Sequence, residues 1–385
     1  MRGPVSQHFR TTVWSIVAVM AASLLLALFW RLASREEDAF AVLDPVAEAT
    51  RPGALFAGSR ACRECHPGEY AAYTGSGHAH TLAPASKSAV ARLLDGQSVE
   101  DPEYPGVTWS YALRGDQFAA ERTERDEVQR FILDYALGSG RHAGTFVTLT
   151  DPVAPVGLEH RLTYYAADGA MAVTPGQRHD DDLPGVTPRG RALSTRDTLR
   201  CFGCHATPAD GVLRTAAGKA PLAEPGRLIP NVSCERCHGP GLAHVNAART
   251  GRGTLTMRFG IGPAAATSAA QLGLCGQCHR HPARFPRDKI RPDDPSLARF
   301  QPIGLSQSSC YLKSEGALSC TTCHDPHFRA STDPAGYDRA CLNCHQGPDQ
   351  TSCGAGESEN CARCHMPKVD SGQRVMFTDH WIRTR

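Results

Sequence analysis

Five residues recur seven times in this chain with fixed spacing, Cys-x-x-Cys-His, at Cys62–His66, Cys201–His205, Cys234–His238, Cys275–His279, Cys320–His324, Cys341–His345 and Cys361–His365. Scattering the 16 cysteines and 17 histidines at random would give about 0.03 such motifs. On one helical turn residues i, i+3 and i+4 share a face, so two sulfurs reach the two vinyl edges of a porphyrin while the imidazole points at its iron. The motif reads as the attachment signature of c-type haem. Structural zinc or redox Cys-x-x-Cys pairs are the competing chemistry, but zinc uses such pairs two at a time and neither requires His after every second Cys. Cofactor attachment is thus assigned to Cys62, Cys65, Cys201, Cys204, Cys234, Cys237, Cys275, Cys278, Cys320, Cys323, Cys341, Cys344, Cys361 and Cys364. The proximal iron ligands are assigned to His66, His205, His238, His279, His324, His345 and His365. Only Cys310 and Cys353 are left over. They lie ten and eight residues before the motifs at Cys320 and Cys361, a parallel placement that suggests a disulfide between them.

The other axial position decides whether an iron only passes electrons or also binds a substrate. Beyond residue 33, nine histidines lie outside the motifs: His78, His80, His142, His160, His179, His244, His281, His327 and His380. Nine candidates for seven irons permit complete bis-His coordination without enforcing it. Beyond residue 33, Met171, Met257 and Met376 are the methionines that do not adjoin a motif, so His/Met ligation is expected to be rare. His78 and His80 (SGHAH), His244 (CHGPGLAH), His327 (CHDPH) and His380 (TDHWIR) stand in the most suggestive contexts and are taken as distal ligands. Pro240 and Pro326 divert the chain outward after the motif His, so these imidazoles are expected to reach a neighbouring haem rather than their own.

The elements that position these residues must be short. First cysteines of successive motifs are separated by 139, 33, 41, 45, 21 and 20 residues, leaving too little chain between the last six for a separate hydrophobic core around each. Porphyrins must serve as the core, packed against one another in an array. Glycine and proline number 36 and 27, consistent with short helices joined by irregular loops. The expected fold is mainly α with extensive irregular loops, a multihaem cytochrome c array organised around stacked haems, with a small strand-containing insert near residues 101–175. That insert is predicted from alternating stretches at Val107–Leu113 and Arg161–Tyr165 and turn signals at Gly115-Asp116 and Asp168-Gly169. The expected organisation is an N-terminal tail (1–10), an anchor (11–32), a linker (33–55), a first haem module (56–100), the insert (101–200) and a six-haem block (201–385).

Thr11 to Trp30 are twenty consecutive residues without an ionisable side chain, long enough to cross a bilayer. A cleaved signal has a shorter apolar region, and the nearest A-x-A, Ala39-Phe40-Ala41, lies beyond the charged run from Arg35 to Asp38, so an uncleaved transmembrane anchor is expected. Arg2 and Arg10 on one side match Arg31 and Arg35 on the other, which leaves orientation undecided by charge.

Net charge is +2, yet 36 of the 41 basic residues are Arg. Guanidinium pairs bidentately with carboxylates, so some of these are expected to hold haem propionates. No basic cluster with interleaved aromatics suggests nucleic acid.

ACRECHPGEYAAYTGSGHAH, LGSGRHAGTF, SCERCHGPGLAHV, SCTTCHDPH, CARCHMPK and FTDHWIR together resemble the multihaem cytochromes of the cytochrome c-552/c-554-like family. The resemblance covers most of the chain after about Gly58. It implies bis-His haems in closely stacked pairs, with His244, His327 and His380 matching distal positions. It also implies haem attachment on the outer side of a bacterial inner membrane, hence a single-pass inner-membrane protein with its haem domain in the periplasm. Related nitrite reductases carry Lys in place of one motif His, whereas all seven motifs here end in His. The leading functional expectation is a membrane-anchored electron carrier taking electrons from a quinol-oxidising complex, a dehydrogenase or a soluble cytochrome. The alternative is an oxidoreductase acting on a small nitrogen or sulfur compound at one haem with an open axial site. A sensor or scaffold is weaker still, for want of an output domain.

Overall fold

The computed structural model describes residues 56–150, 156–181, 183–208, 228–251, 267–346, 353, 359–372 and 374–384. The chain opens with two short helices, α1 (Ser59–Cys62) and α2 (Pro67–Gly75), the second begun by a proline at its first turn where no backbone donor is lost. After β1 (Leu82–Pro84) comes α3 (Ala89–Leu94), capped by Ser88, whose hydroxyl accepts the Ala91 N–H.

A β-rich body follows. β2 (Ser98–Glu100), β3 (Val107–Arg114), β4 (Gln117–Glu124) and β5 (Glu127–Leu133) form an antiparallel meander. In β3 burial alternates along the strand, so that Val107, Trp109 and Tyr111 face inward, as a period of two requires. The β3–β4 hairpin turns on Gly115-Asp116 with Gly115 at φ 59°, a left-handed conformation glycine adopts without steric cost. A second sheet runs β1, β6 (Tyr135–Leu137), β7 (Ala143–Leu149), β8 (Gly157–His160), β12 (Gly190–Leu193), β11 (Val186–Thr187), with β9 (Leu162–Tyr165) on β7 and β10 (Ala170–Val173) on β9. Trp109, Tyr111, Phe118, Phe146 and Leu162 form the core of this body, joined by Val90 and Leu94 of α3.

This overturns the expectation of a mainly α fold. From Leu82 to Leu193 the described chain is largely antiparallel sheet, and its aromatic residues supply a polypeptide core that needs no porphyrin. Elsewhere the helices are short: α4 (Thr195–His205), α5 (Cys234–His238), α6 (Leu242–Arg249), α7 (Ser268–His279), α8 (Gln301–Gln307), α9 (Ser309–Lys313), α10 (Cys320–Cys323), α11 (Pro334–Leu342) and α12 (Cys361–His365). Two-stranded ladders join β13 (Ala206–Pro208) to β14 (Leu228–Pro230) and β15 (Lys368–Asp370) to β16 (Met376–Thr378).

The expected single-pass placement in the inner membrane is also corrected. No helix among the described residues is long and apolar enough to cross a membrane. The longest, α7, has 12 residues, about 18 Å against the roughly 30 Å of a hydrocarbon core. The stretch Thr11–Trp30 that carried the expectation lies outside the described residues.

Candidate haem-binding site

Every motif sits on a single helical turn. The His66 N–H donates to the Cys62 carbonyl at 2.8 Å, His324 to Cys320 at 3.1 Å and His345 to Cys341 at 3.0 Å, closing the turn that puts two thiols and one imidazole on one side. All fourteen motif thiols are free of disulfides.

Four motif imidazoles face an imidazole from outside the motifs. His66 faces His244 with ring centres 6.5 Å apart and planes at 28°. His279 faces His78 at 6.5 Å and 80°. His238 faces His327 at 6.0 Å and 11°, and His324 faces His380 at 6.2 Å and 35°. A metal–imidazole bond of about 2.0 Å, plus roughly 1.1 Å from that nitrogen to the ring centre, puts two rings on opposite sides of one first-row metal about 6.2 Å apart. Direct packing of two small rings would bring them closer. The gaps therefore fit an iron held between two axial imidazoles.

Hydrogen bonding orients several of these rings. A metal-binding imidazole commonly donates one ring N–H to a carbonyl or carboxylate, leaving the other nitrogen for the metal. Nδ1 of His78 pairs with the Pro326 carbonyl at 3.2 Å, His380 with the Thr378 carbonyl at 2.9 Å, and His327 with Asp325 Oδ1 at 2.9 Å. Among motif histidines, Nδ1 of His205 pairs with the Thr81 carbonyl at 2.9 Å, His279 with Gln301 Oε1 at 3.1 Å and His365 with the Arg383 carbonyl at 3.1 Å. In each case Nε2 is left for a ligand. Burial also pushes His238 and His324 below the ordinary imidazole value and His380 down to about 4, favouring the neutral, metal-binding form.

The remaining candidates lie elsewhere. His80 points away from His78: its Nε2 pairs with the Thr74 carbonyl at 2.8 Å. His205, His345 and His365 face no non-motif imidazole in any ring contact found among the described residues. His160 belongs to the β core, its Nε2 2.8 Å from Tyr111 Oη and its ring edge-on to Trp109, and burial lowers it to about 3. His179 packs edge-on against Tyr104, His281 caps a turn by accepting the Ala283 N–H, and the His142 carbonyl accepts the Ala166 N–H. Cys310 and Cys353 both carry free thiols, so the suggested staple is absent from this structure.

Sequence reading missed the carboxylates that brace the motifs. Glu235, between the two cysteines of its motif, is 3% exposed and accepts the N–H groups of Ala57, Gly58 and Gly241 at 2.7, 2.8 and 2.7 Å. It therefore ties the start of α1 and the entry to the His244 helix to the third motif. Desolvation raises its pKa, and the three backbone N–H groups oppose that shift. Asp338 in α11 accepts the N–H groups of Asn360 at 2.6 Å and Cys361 at 2.9 Å, fixing the start of α12. An acidic residue inside or just before a cysteine motif was the available signal. In the β body arginine pairs with protein carboxylates. Fully buried Arg161 pairs with Asp101 at 3.3 Å and Glu103 at 2.6 Å, and Arg191 pairs with Glu159 at 2.9 Å.

Residues 182–239, spanning the second and third motifs, match the family described as cytochrome c554 and c-prime. The chain is 24% identical over 227 residues to the dissimilatory sulfite reductase MccA of Wolinella succinogenes, covering 47% of this chain and 30% of that protein. It thus spans under a third of the length of that curated relative. The crystal structure of the outer cell wall cytochrome OcwA aligns over 86% of this chain and 80% of its own, at 15% identity and a TM-score of 0.44. Motifs, family match and relative define a covalent haem protein of the cytochrome c type. The chain is a multihaem c-type cytochrome, binding haem c covalently. Proteins of this class generally pass electrons to other redox proteins.

Proposed function

We propose that the chain carries seven haems and relays electrons between redox partners through closely packed, mostly bis-His irons. The observation that carries this reading is the set of four imidazole pairs 6.0–6.5 Å apart. Bis-His iron has no vacant position for substrate and cycles between two oxidation states, which is the chemistry the bound group supplies. The assigned cysteines would hold the porphyrins, and His66 with His244, His238 with His327, His279 with His78, and His324 with His380 would hold the irons. Seven haems per chain by pyridine haemochromogen assay and intact mass support the reading. A folded, exported chain that carries fewer refutes the count.

A second reading has one haem with an open axial position acting on a small sulfur or nitrogen compound. Two observations favour keeping it: His205, His345 and His365 lack a facing imidazole among the described residues, and the relative MccA is named a sulfite reductase. A ferric high-spin signal that shifts on adding sulfite, nitrite or hydroxylamine supports it. An entirely low-spin spectrum eliminates it.

A further inference from the structure

Sequence order is not spatial order for the seven motifs. The Cys62 thiol hydrogen-bonds the Cys234 thiol, and the Cys234 N–H reaches Ser59 Oγ at 3.3 Å. With Glu235 bridging to Ala57 and Gly58 as well, the first motif lies directly against the third. The Arg236 guanidinium, inside the third motif, hydrogen-bonds the Cys278 sulfur, which joins the third to the fourth. The Cys275 thiol hydrogen-bonds that of Cys320, and the Thr321 N–H and hydroxyl both donate to Gln271 Oε1, at 3.1 and 3.0 Å, joining fourth to fifth. α11 packs on α10, and the ring of Tyr337 in α11 stands 5.6 Å from that of His324, joining fifth to sixth. Cys341 and Cys361 are hydrogen-bonded and Asp338 spans their helices, joining sixth to seventh. The second motif contributes separate contacts: the Cys204 thiol with the Cys278 thiol, where α4 packs on α7, and the Gly203 carbonyl, which accepts from the Arg236 guanidinium of the third motif at 3.2 Å.

We infer that the motifs form a line in the order first, third, fourth, fifth, sixth, seventh, with the second as a side branch joined where the third meets the fourth. This rests on all seven motifs carrying haem. Each thioether sulfur sits on a porphyrin edge, so sulfurs in contact bring the edges of their porphyrins together. The imidazole pairs give an independent check. His244, downstream of the third motif, faces the first; His327, downstream of the fifth, faces the third; His78, downstream of the first, faces the fourth; His380, downstream of the seventh, faces the fifth. Each joins motifs that are neighbours or one place apart on the line. None involves the branch.

The branch abuts the β body. α4 packs on β12, Cys201 lies against the cluster of Val147 and Leu193, Phe202 packs edge-on against Tyr135 at 5.1 Å, and His205 is held by Thr81. The arrangement thus has three termini rather than two: the first motif, the seventh, and the second, where electrons enter or leave beside the sheets.

The test is the iron arrangement in the haem-loaded full chain, from a crystal structure phased at the iron edge. The expected result places the third and fourth irons as the neighbours of the second, and the first and seventh at opposite ends. A second iron lying within the line, or first and seventh irons as neighbours, overturns the order. Seven irons in another order sink this inference alone, whereas fewer than seven sink the relay reading beneath it. Where crystals fail, the loaded Cys201→Ala/Cys204→Ala variant is expected to retain the ferric EPR couplings of the first, third, fifth, sixth and seventh haems. Loss of couplings among those five refutes the branch.

Discussion

Replacing His327 by Ala removes one imidazole from the most nearly parallel of the four facing pairs, 6.0 Å from His238 with an 11° angle between planes. That separation is within about 0.2 Å of the spacing worked out for two axial imidazoles on one metal. The lost ring has no rival nearby in the ring contacts, so the iron held by His238 becomes five-coordinate. On the proposed count of seven haems per chain, the ferric high-spin signal should integrate to about one seventh of total iron, and the reduced protein should bind one additional carbon monoxide per chain. Added imidazole should restore the low-spin spectrum by refilling the vacated space. Spin-quantified EPR of wild type and variant is the assay. His160→Gln serves as the contrast, because His160 is bonded to Tyr111 inside the β core and its loss should leave the iron spectrum unchanged. A His327→Ala spectrum indistinguishable from wild type, or a high-spin signal produced by His160→Gln, would refute the reasoning.

Glu235→Ala leaves the buried N–H groups of Ala57, Gly58 and Gly241 without their acceptor; orphaned donors cost about 1–3 kcal/mol each, and relief of the carboxylate's own desolvation offsets part of this, so a net loss of about 3 kcal/mol is expected in denaturant unfolding. A change below about 0.5 kcal/mol would remove Glu235 from the bracing role. Asp325→Asn weakens the hydrogen bond that orients His327, and loss of such a partner typically costs about 10–100-fold in ligand strength, so partial high-spin character at that single iron is expected in EPR. His160 titrates near 3 when folded against about 6.5 unfolded, so the unfolded chain binds the extra proton between those values and stability rises with pH across that window. Acidifying from pH 7.5 to pH 5 should cost wild type about 2 kcal/mol more than His160→Gln; equal pH profiles would contradict the buried neutral assignment. Cys310→Ser/Cys353→Ser should leave the unfolding midpoint unchanged under oxidising conditions, and a drop of several kcal/mol would mean that the two thiols do bond.

The chemistry was more legible than the architecture. Motif spacing alone assigned seven clamps, and the contexts of His244, His327 and His380 picked out rings that stand opposite a motif imidazole. SGHAH left His78 and His80 equivalent, because two residues apart on a tight turn they differ only in direction. That direction is set by Pro326 and Thr74, one distant and one local in sequence. The strand signals at Val107–Leu113 and Gly115-Asp116 gave a true hairpin, since alternation and turn chemistry are local. Closure into two sheets was not legible: it depends on pairings such as Leu82 with Leu137 and Gly190 with His160, which no local pattern announces. The same limit explains the mainly α expectation, which let the haem-dense C-terminal half speak for the aromatic-rich body before it. It also explains why Glu235 went unnoticed, since two of its three donors lie 177 and 178 residues upstream.

Near-infrared magnetic circular dichroism of the fully ferric protein reports axial ligands iron by iron and tests the paired-imidazole assignment most directly. At least four bis-imidazole low-spin irons per chain are predicted, with His244→Ala, His327→Ala, His78→Ala and His380→Ala each removing one. Fewer than four in the wild type, or variants that leave the count unchanged, would contradict it.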